Sequence, residues 1–468
     1  MTTHSMGRFI NTGNGPTLLP VDIGHKDYLA LVDPDTAFWL LVKRDMLADV
    51  LSDARYRKAY IGKVDEFRKE MESLRFTRRP SAVYFNATEQ CNLNCSYCYI
   101  PENMRRNGHS MSPKELFESL ERLKSYFTRT LPKGTLPQII FHGAEPLLNR
   151  EAVFAGIDKY GKDFRFGIQT NATFLDEQTV GFLTARDVSI GMSLDGPTSA
   201  VDGRTRHNWS GESTYNKTVE AMERLKGYAG WNIISTITSE NMHHLVSLVE
   251  FFHSHEVPGC MLNIVRGTMP SSREVRPSDA GAVKYYLAAL DRTYKLYQET
   301  GKKLVVSNFA NILLAIIAPT ARRLMCDISP CGGGRYFFAL SANGDLFPCS
   351  EFVGLPAFKG GNIFKDDIED VLVSSPFSTV TSRKVEDIEP CRRCAIRNFC
   401  GAPCPAEVHA MHGRMDKTGA FCEFYEEQTH YAFRVIADGR QDAFLWDDWD
   451  KGTKDTFTLN HSDKPHHP

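Results

Sequence analysis

The chain has 468 residues, enough for about three domains and for cores that need no disulfide staples. Lys+Arg 55 against Asp+Glu 57 gives a net charge of −2, and this balance offers no overall pull toward nucleic acid or an anionic membrane. No apolar run approaches the ~18 residues of a transmembrane helix, the stretch near Ile312–Ile317 being far too short, and the opening MTTHSMGRFINTGNG lacks a secretory pattern. These features predict a cytoplasmic protein without a membrane or nucleic-acid partner.

Residues 1–80 form a leading segment. Two apolar runs, Tyr28–Val32 and Ala37–Val42, flank Asp33-Pro34-Asp35, a hairpin-like turn signal. A helix is expected near Arg44–Leu51, and a second over the charged stretch Lys63–Arg75. This α+β unit reads either as a small peptide-recognition module or as a layer packed on the domain that follows.

Residues 81–300 alternate regularly. Strand-like runs occur at Val83–Ala87, Gln138–His142, Phe164–Gln169, Ser189–Ser193, Ile233–Ile237 and Met261–Val265. Ser112-Pro113-Lys114-Glu115 is a capping box with Pro at the first helical position, followed by Leu116, Leu120, Leu123 and Phe127 at helical spacing. Further helices are expected near 150–160, 176–186, 214–227, 242–255 and 278–298. Six β-then-α units predict an α/β fold with a parallel sheet, curled or open, and ligands at the carboxyl ends of its strands. Residues 301–430 lose this rhythm, being loop-rich with eight cysteines. A polar tail, 431–468, is expected to be partly disordered from about Asp438.

The chain has twelve cysteines, and in a reducing compartment clustered cysteines point to metal or redox chemistry. Cys91, Cys95 and Cys98 form a C-x3-C-x2-C triad just after the first barrel strand. Three thiolates leave one iron of a four-iron cluster open, whereas structural zinc takes four protein ligands. Cys260, in a strand-like run, reads as a small buried hydrophobe. His243-His244 and His253…His255 lack a helical metal-site pattern and read as surface or packing residues.

The triad, with Tyr97 as its aromatic, resembles the signature of the radical S-adenosylmethionine (SAM) superfamily. His142-Gly143-Ala144-Glu145-Pro146 is similar to that family's Gly-Gly-Glu-Pro, departing at Ala144. Gln169-Thr170-Asn171 and Ser193-Leu194-Asp195-Gly196-Pro197 match further family motifs in order. The resemblance implies a partial (β/α)6 TIM-type barrel in which Cys91, Cys95 and Cys98 hold a [4Fe–4S] cluster. Tyr97, Gly143, Ala144, Glu145, Asn171, Ser193 and Arg206 would form the SAM site, with Arg204 as the second choice for the carboxylate contact.

The run Cys331-x12-Gly344-x4-Cys349, Cys391-x2-Cys394-x5-Cys400-x3-Cys404 and Cys422 resembles the seven-cysteine SPASM iron–sulfur domain. Carried over, its pattern gives auxiliary [4Fe–4S] cluster I to Cys326, Cys331, Cys349 and Cys404. Auxiliary cluster II falls to Cys391, Cys394, Cys400 and Cys422, making three clusters. Without the resemblance, the second run also reads as a zinc knuckle or ribbon.

Enzymes of this type cleave SAM to a 5′-deoxyadenosyl radical and act on ribosomal peptides or proteins, drawing electrons from a flavodoxin or ferredoxin. CNLNCSYCYIPENMRR and FPCSEF are most similar to the branch that matures quinohemoprotein amine dehydrogenase by joining Cys to methylene carbons of Asp or Glu. Intramolecular thioether cross-linking of a Cys-containing peptide is therefore the expected activity. Anaerobic sulfatase-maturating enzymes carry an Asp base directly after the second SPASM cysteine, where this chain has Ser350, with Glu351 next as a substitute base. Formylglycine formation, carbon–carbon cyclisation and oxidation of a free small molecule are the enzymatic alternatives. An iron–sulfur electron carrier and a zinc-organised binding protein are the alternatives of other classes.

Overall fold

The computed structural model describes residues 18–52 and 54–450. The leading segment is a three-stranded antiparallel meander, β1 (Leu19–Val21), β2 (Tyr28–Val32) and β3 (Trp39–Lys43), followed by helix α1 (Ala54–Phe76). The apolar positions of α1 that look sparse in the sequence, Val64, Phe67, Met71 and Leu74, are spaced by three and four residues and are all buried. This unit packs on the C-terminal domain. The Trp39 indole N–H donates to Ile316 O at 2.7 Å, and Asn398 donates through its amide to Pro34 O at 2.6 Å.

The expected βα alternation is present. Strands β4 (Ala82–Phe85), β5 (Gln138–Phe141), β6 (Arg165–Thr170), β7 (Ser189–Ser193), β8 (Trp231–Ile237) and β9 (Gly259–Ile264) pair in parallel, each with the next. Between and after them run helices α2 (Pro113–Thr130), α3 (Arg150–Tyr160), α4 (Glu177–Thr184), α5 (Tyr215–Arg224), α6 (Leu245–Ser254) and α7 (Asp279–Thr300). The Ser112–Glu115 capping box forms as read, so the first crossover helix starts where its sequence says.

The βα rhythm extends beyond residue 300. β10 (Val305–Val306) adds in parallel to β9 and leads into α8 (Ser307–Ile317). Every side chain of α8 from Phe309 to Ile317 is buried. A helix covered all round shows no amphipathic period, which is why the alternation seemed to stop there. At the other edge of the sheet, β11 (Phe337–Leu340) pairs in parallel with β4, and β12 (Asp345–Phe347) and β13 (Gly361–Asn362) follow antiparallel. The ten strands run β10-β9-β8-β7-β6-β5-β4-β11-β12-β13, one sheet shared by the barrel and the C-terminal domain.

The expected tail boundary at 431 and disorder from Asp438 are corrected for the described residues. Helix α9 (Cys422–Ala437) crosses the boundary with Tyr431, Ala432, Phe433 and Val435 buried. Phe444 and Leu445 beyond it are also buried, Phe444 standing 5.3 Å from Phe309 and 5.8 Å from Tyr294, ring centre to ring centre. The run Ala443-Phe444-Leu445-Trp446 is too short to show a helical or strand period. The closing SDKPHHP lies outside the described residues. No helix among the described residues is long and apolar enough to cross a membrane. Phe444→Ala is expected to cost about 3 kcal/mol, read as a lowered Tm in thermal unfolding of the anaerobically purified chain.

Candidate functional site

Because β4–β9 are parallel, the segments leaving their carboxyl ends meet at one mouth. Cys91, Cys95 and Cys98 lie in the loop after β4, which its neighbours hold closely. Arg105 donates through Nε to Ile100 O at 3.0 Å and through Nη1 to Asn94 Oδ1 at 2.9 Å. Trp209 donates through its indole N–H to Cys91 O at 2.9 Å, and the Arg106 guanidinium lies 3.8 Å from the centre of the Trp209 ring system. Neither Arg105 nor Trp209 stands out in the sequence, since each acts on a backbone carbonyl far from or outside any motif.

The motif residues around this loop are bonded mainly to one another. Glu145 is fully buried, and its carboxylate accepts from Thr170 Oγ1 at 2.8 Å, Asn171 N at 2.8 Å and Leu147 N at 3.1 Å. Burial pushes its carboxyl up to about 7 despite these donors. The Glu145 side chain is thereby held in place at the end of β5. Asn171 donates through its amide to Asn92 Oδ1 at 2.8 Å, bracing the cysteine loop. Tyr97 donates to Asp195 Oδ2 at 2.5 Å, and burial pushes Asp195 up to about 6. Ser193 ends β7, half-buried.

Arg206, rather than Arg204, reaches the interior. Its Nε is 3.6 Å from Asp202 Oδ1, and Nη2 donates to Asn171 O at 3.4 Å. Arg204 instead donates to Glu240 O. Gly143 carries the motif's strained backbone at φ +98°, and a Cβ there would meet Asn86 Cγ at 2.3 Å. Ala144 has no positive φ, so the departure from Gly-Gly falls at the tolerant position.

All twelve thiols are free of disulfides. Burial pushes the thiols of Cys91, Cys95, Cys98, Cys326, Cys349, Cys391, Cys394, Cys400, Cys404 and Cys422 up, and neighbouring thiols add to this for several of them. Cys91 and Cys95 interact with each other and with Cys98. Cys326, Cys349 and Cys404 interact with one another and with Cys331. Cys394, Cys400 and Cys422 interact with one another and with Cys391. Cys260 stands alone in β9, buried.

Burial pushes Cys95, Cys326 and Cys394 each to about 12, so without a bound cation these thiols would stay protonated at neutral pH. Ser96 Oγ, Asp202 Oδ2, Thr205 Oγ1 and Arg206 Nε are buried without a hydrogen-bond partner, as suits a site that takes a charged ligand. The donor set fits iron–sulfur clusters and SAM.

Glu351 lies between the first two groups, its charge acting on both Cys98 and Cys404. Arg266 Nε stands 3.5 Å from Glu351 Oε1, and Thr268 Oγ1 donates to Oε2 at 3.3 Å. Burial raises its carboxyl above the usual range, so it is no ordinary solvated carboxylate. His142 and Tyr99 share this region, His142 Nδ1 being 3.5 Å from the Tyr99 hydroxyl, and burial brings the imidazole down to about 4, leaving it neutral. His142, Tyr99, Arg266 and Thr268 are site residues that sequence reasoning missed. Gly143→Ala is expected to lower SAM affinity of the anaerobically reconstituted chain at least tenfold by calorimetry, whereas Ala144→Gly keeps it.

Comparison with known proteins agrees with this geometry. Residues 85–252 match the radical SAM superfamily, and residues 331–395 match an iron–sulfur cluster-binding domain, SPASM. An uncharacterized protein of Archaeoglobus fulgidus is 39% identical over 416 residues, 89% of this chain and 93% of its own. A cysteine-type anaerobic sulfatase-maturating enzyme of Clostridium perfringens is 21% identical, over 74% of this chain and 94% of its own. Among solved structures, hexahistidine-tagged anSMEcpe with bound AdoMet superposes with a TM-score of 0.68 at 20% identity, covering 82% of this chain and 100% of that one. Streptococcus suis SuiB bound to precursor peptide SuiA gives a TM-score of 0.57 at 13% identity, covering 84% and 96%. With the motifs at the mouth of the sheet and the second cysteine run paired against its first barrel strand, the chain belongs to the radical SAM superfamily and carries a C-terminal SPASM iron–sulfur domain.

Proposed function

We propose that this enzyme is a peptide or small-protein maturase that forms an intramolecular thioether between a substrate Cys sulfur and a carbon, with an Asp or Glu methylene as the favoured acceptor. On this reading Cys91, Cys95 and Cys98 hold the SAM-binding [4Fe–4S] cluster. Cys326, Cys331, Cys349 and Cys404 hold auxiliary cluster I, and Cys391, Cys394, Cys400 and Cys422 hold auxiliary cluster II. When bound, SAM and its cluster supply a 5′-deoxyadenosyl radical that takes one hydrogen atom from a substrate carbon.

The observation that carries the proposal is the placement of Glu351 between Cys98 and Cys404, held by Arg266 and Thr268. Glu351 takes the proton of the substrate thiol, and the freed sulfur closes on the carbon. The peptide loses two hydrogens, one as an atom and one as a proton, and one electron passes out of it. Asn171, Glu145 and Tyr97 keep the SAM side of the chamber rigid. Arg206 sits against Cys95, where its charge favours the thiolate. The lead sheet supports peptide recognition, because β3 is its edge strand and an extended peptide can add there. A flavodoxin or ferredoxin supplies the electron that SAM cleavage consumes, and a reducing cytoplasm suits this many free thiols.

Sulfatase maturation is the second reading. It is favoured by the same carboxylate, since formylglycine formation also needs a base at the substrate side chain, and by the sulfatase-maturating name of the Clostridium perfringens relative.

The iron content of the reconstituted chain is expected to be roughly twelve per chain, falling to about eight in Cys394→Ser. Co-expression with a Cys-rich peptide encoded nearby, then thiol alkylation and mass spectrometry, decides the chemistry. Loss of two hydrogens with a cysteine that no longer alkylates supports the thioether. The same loss with every thiol alkylated means carbon–carbon linkage, and a hydrazide-reactive aldehyde means formylglycine. Glu351→Gln is expected to slow product formation by about 10²-fold while SAM cleavage continues.

A further inference from the structure

The loop after β9, Arg266-Gly267-Thr268, is where the barrel grips the C-terminal domain. Gly267 N donates to Glu407 Oε1 at 2.7 Å, three residues beyond Cys404. Arg266 and Thr268 hold Glu351, two residues beyond Cys349. Arg273 closes the arrangement, donating through Nε to Gly267 O and through Nη2 to Ala410 O, each at 2.8 Å. Two carboxylates, each a step from a thiol of the second group, are thus fixed by one barrel loop.

Arg266 enters that thiol group with the loop. Its strongest electrostatic partner is Cys404, followed by Glu351, Tyr425 and Cys326. Among the described residues its sole ion-pair partner is Glu351, and its Nη groups donate to no described residue. Arg383 shows the contrast. It also lies near Cys331 and Cys404, but it donates through Nε, Nη1 and Nη2 to the carbonyls of Met415, Ala402 and Lys417, which makes it a strut between loops. Arg266 instead pairs with Glu351, and its charge also acts on Cys404 and Cys326.

Net charge and hydrogen bonds to sulfur set the reduction potential of a cluster, and a fixed cation with free N–H groups favours the reduced, more negative state. We propose that Arg266 is a positioning residue that raises the reduction potential of the auxiliary cluster held by Cys326, Cys331, Cys349 and Cys404. The inference rests on the assignment of a [4Fe–4S] cluster to those four thiols. It gives the one barrel loop that fixes the substrate-side carboxylate a second task, making the neighbouring cluster a readier electron acceptor.

Potentiometric titration of the reconstituted full-length chain, followed by EPR, reads the clusters separately. Arg266→Gln is expected to lower the potential of this cluster by about 60 mV, a tenfold change in a one-electron equilibrium. The cluster at Cys391, Cys394, Cys400 and Cys422 should keep its wild-type potential, and Arg266→Lys, which retains the charge, should stay nearer wild type than the glutamine variant. Arg266→Met, of similar length, serves if the glutamine variant does not fold. An unchanged potential in the neutral variants, or an equal drop in Arg266→Lys, overturns the inference. A wild-type chain with no iron at these four thiols overturns the cluster assignment itself, and its iron content shows that before any variant is made.

Discussion

The arrangement of the site depends on one backbone pairing, the parallel register of Phe337–Leu340 with Ala82–Phe85. β4 is the strand whose carboxyl end launches the Cys91–Cys98 loop, and it has β5 on one side and β11 on the other. Extending the barrel sheet by a strand of the C-terminal domain places the β11–β12 turn at the same mouth, from which β12 runs back antiparallel. Cys349 and Glu351 follow β12 directly. The pairing also satisfies an edge of β4 that would otherwise be left as a buried row of unpaired N–H and C=O groups. Phe337 and Phe338 of β11 join the continuous barrel core, so the two domains share one hydrophobic interior.

The second constraint is electrostatic. Carboxylates and guanidiniums pair near the cysteine loop: Glu351 with Arg266, both half-buried, and the buried Asp202 and Asp195 with Arg206. Isolated buried charges are costly, and pairing lowers that cost without removing it. The protein retains these groups at a site whose work is to handle a charged cofactor, a proton and an electron. The lead segment adds a mechanical link at the other end of the C-terminal domain. Pro34 and Asp35, in the β2–β3 turn, bind Asn398 and Arg397, which lie between Cys394 and Cys400. A peptide bound at the lead sheet would therefore sit one turn away from the third thiol group.

What the sequence determined by itself was local. The spacing of the cysteines, the strand runs each followed by a helix, and the Ser112–Glu115 capping box are patterns within a few residues, set by bonding geometry and helical or strand period. Their order along the chain was enough for the family resemblance and for the parallel sheet. Glu351 was legible only as a neighbour of Cys349, because alternation along the chain does not say which way its side chain turns.

Tertiary structure alone decided the rest. Arg266 and Glu351 are 85 residues apart and meet only because the loop after β9 and the segment after β12 are brought together by the tertiary structure. His142 and Tyr99 become neighbours because the loop after β4 folds back over the end of β5. Helix α8 and the Phe444–Leu445 anchor were hidden for the opposite reason, since full burial erases the alternation by which amphipathic elements are read. The donors that hold the Glu145 carboxylate, Thr170 and Asn171, come from the end of another strand. Local chemistry is written in sequence spacing, whereas the partner of a buried charge is set by which strands the sheet places side by side.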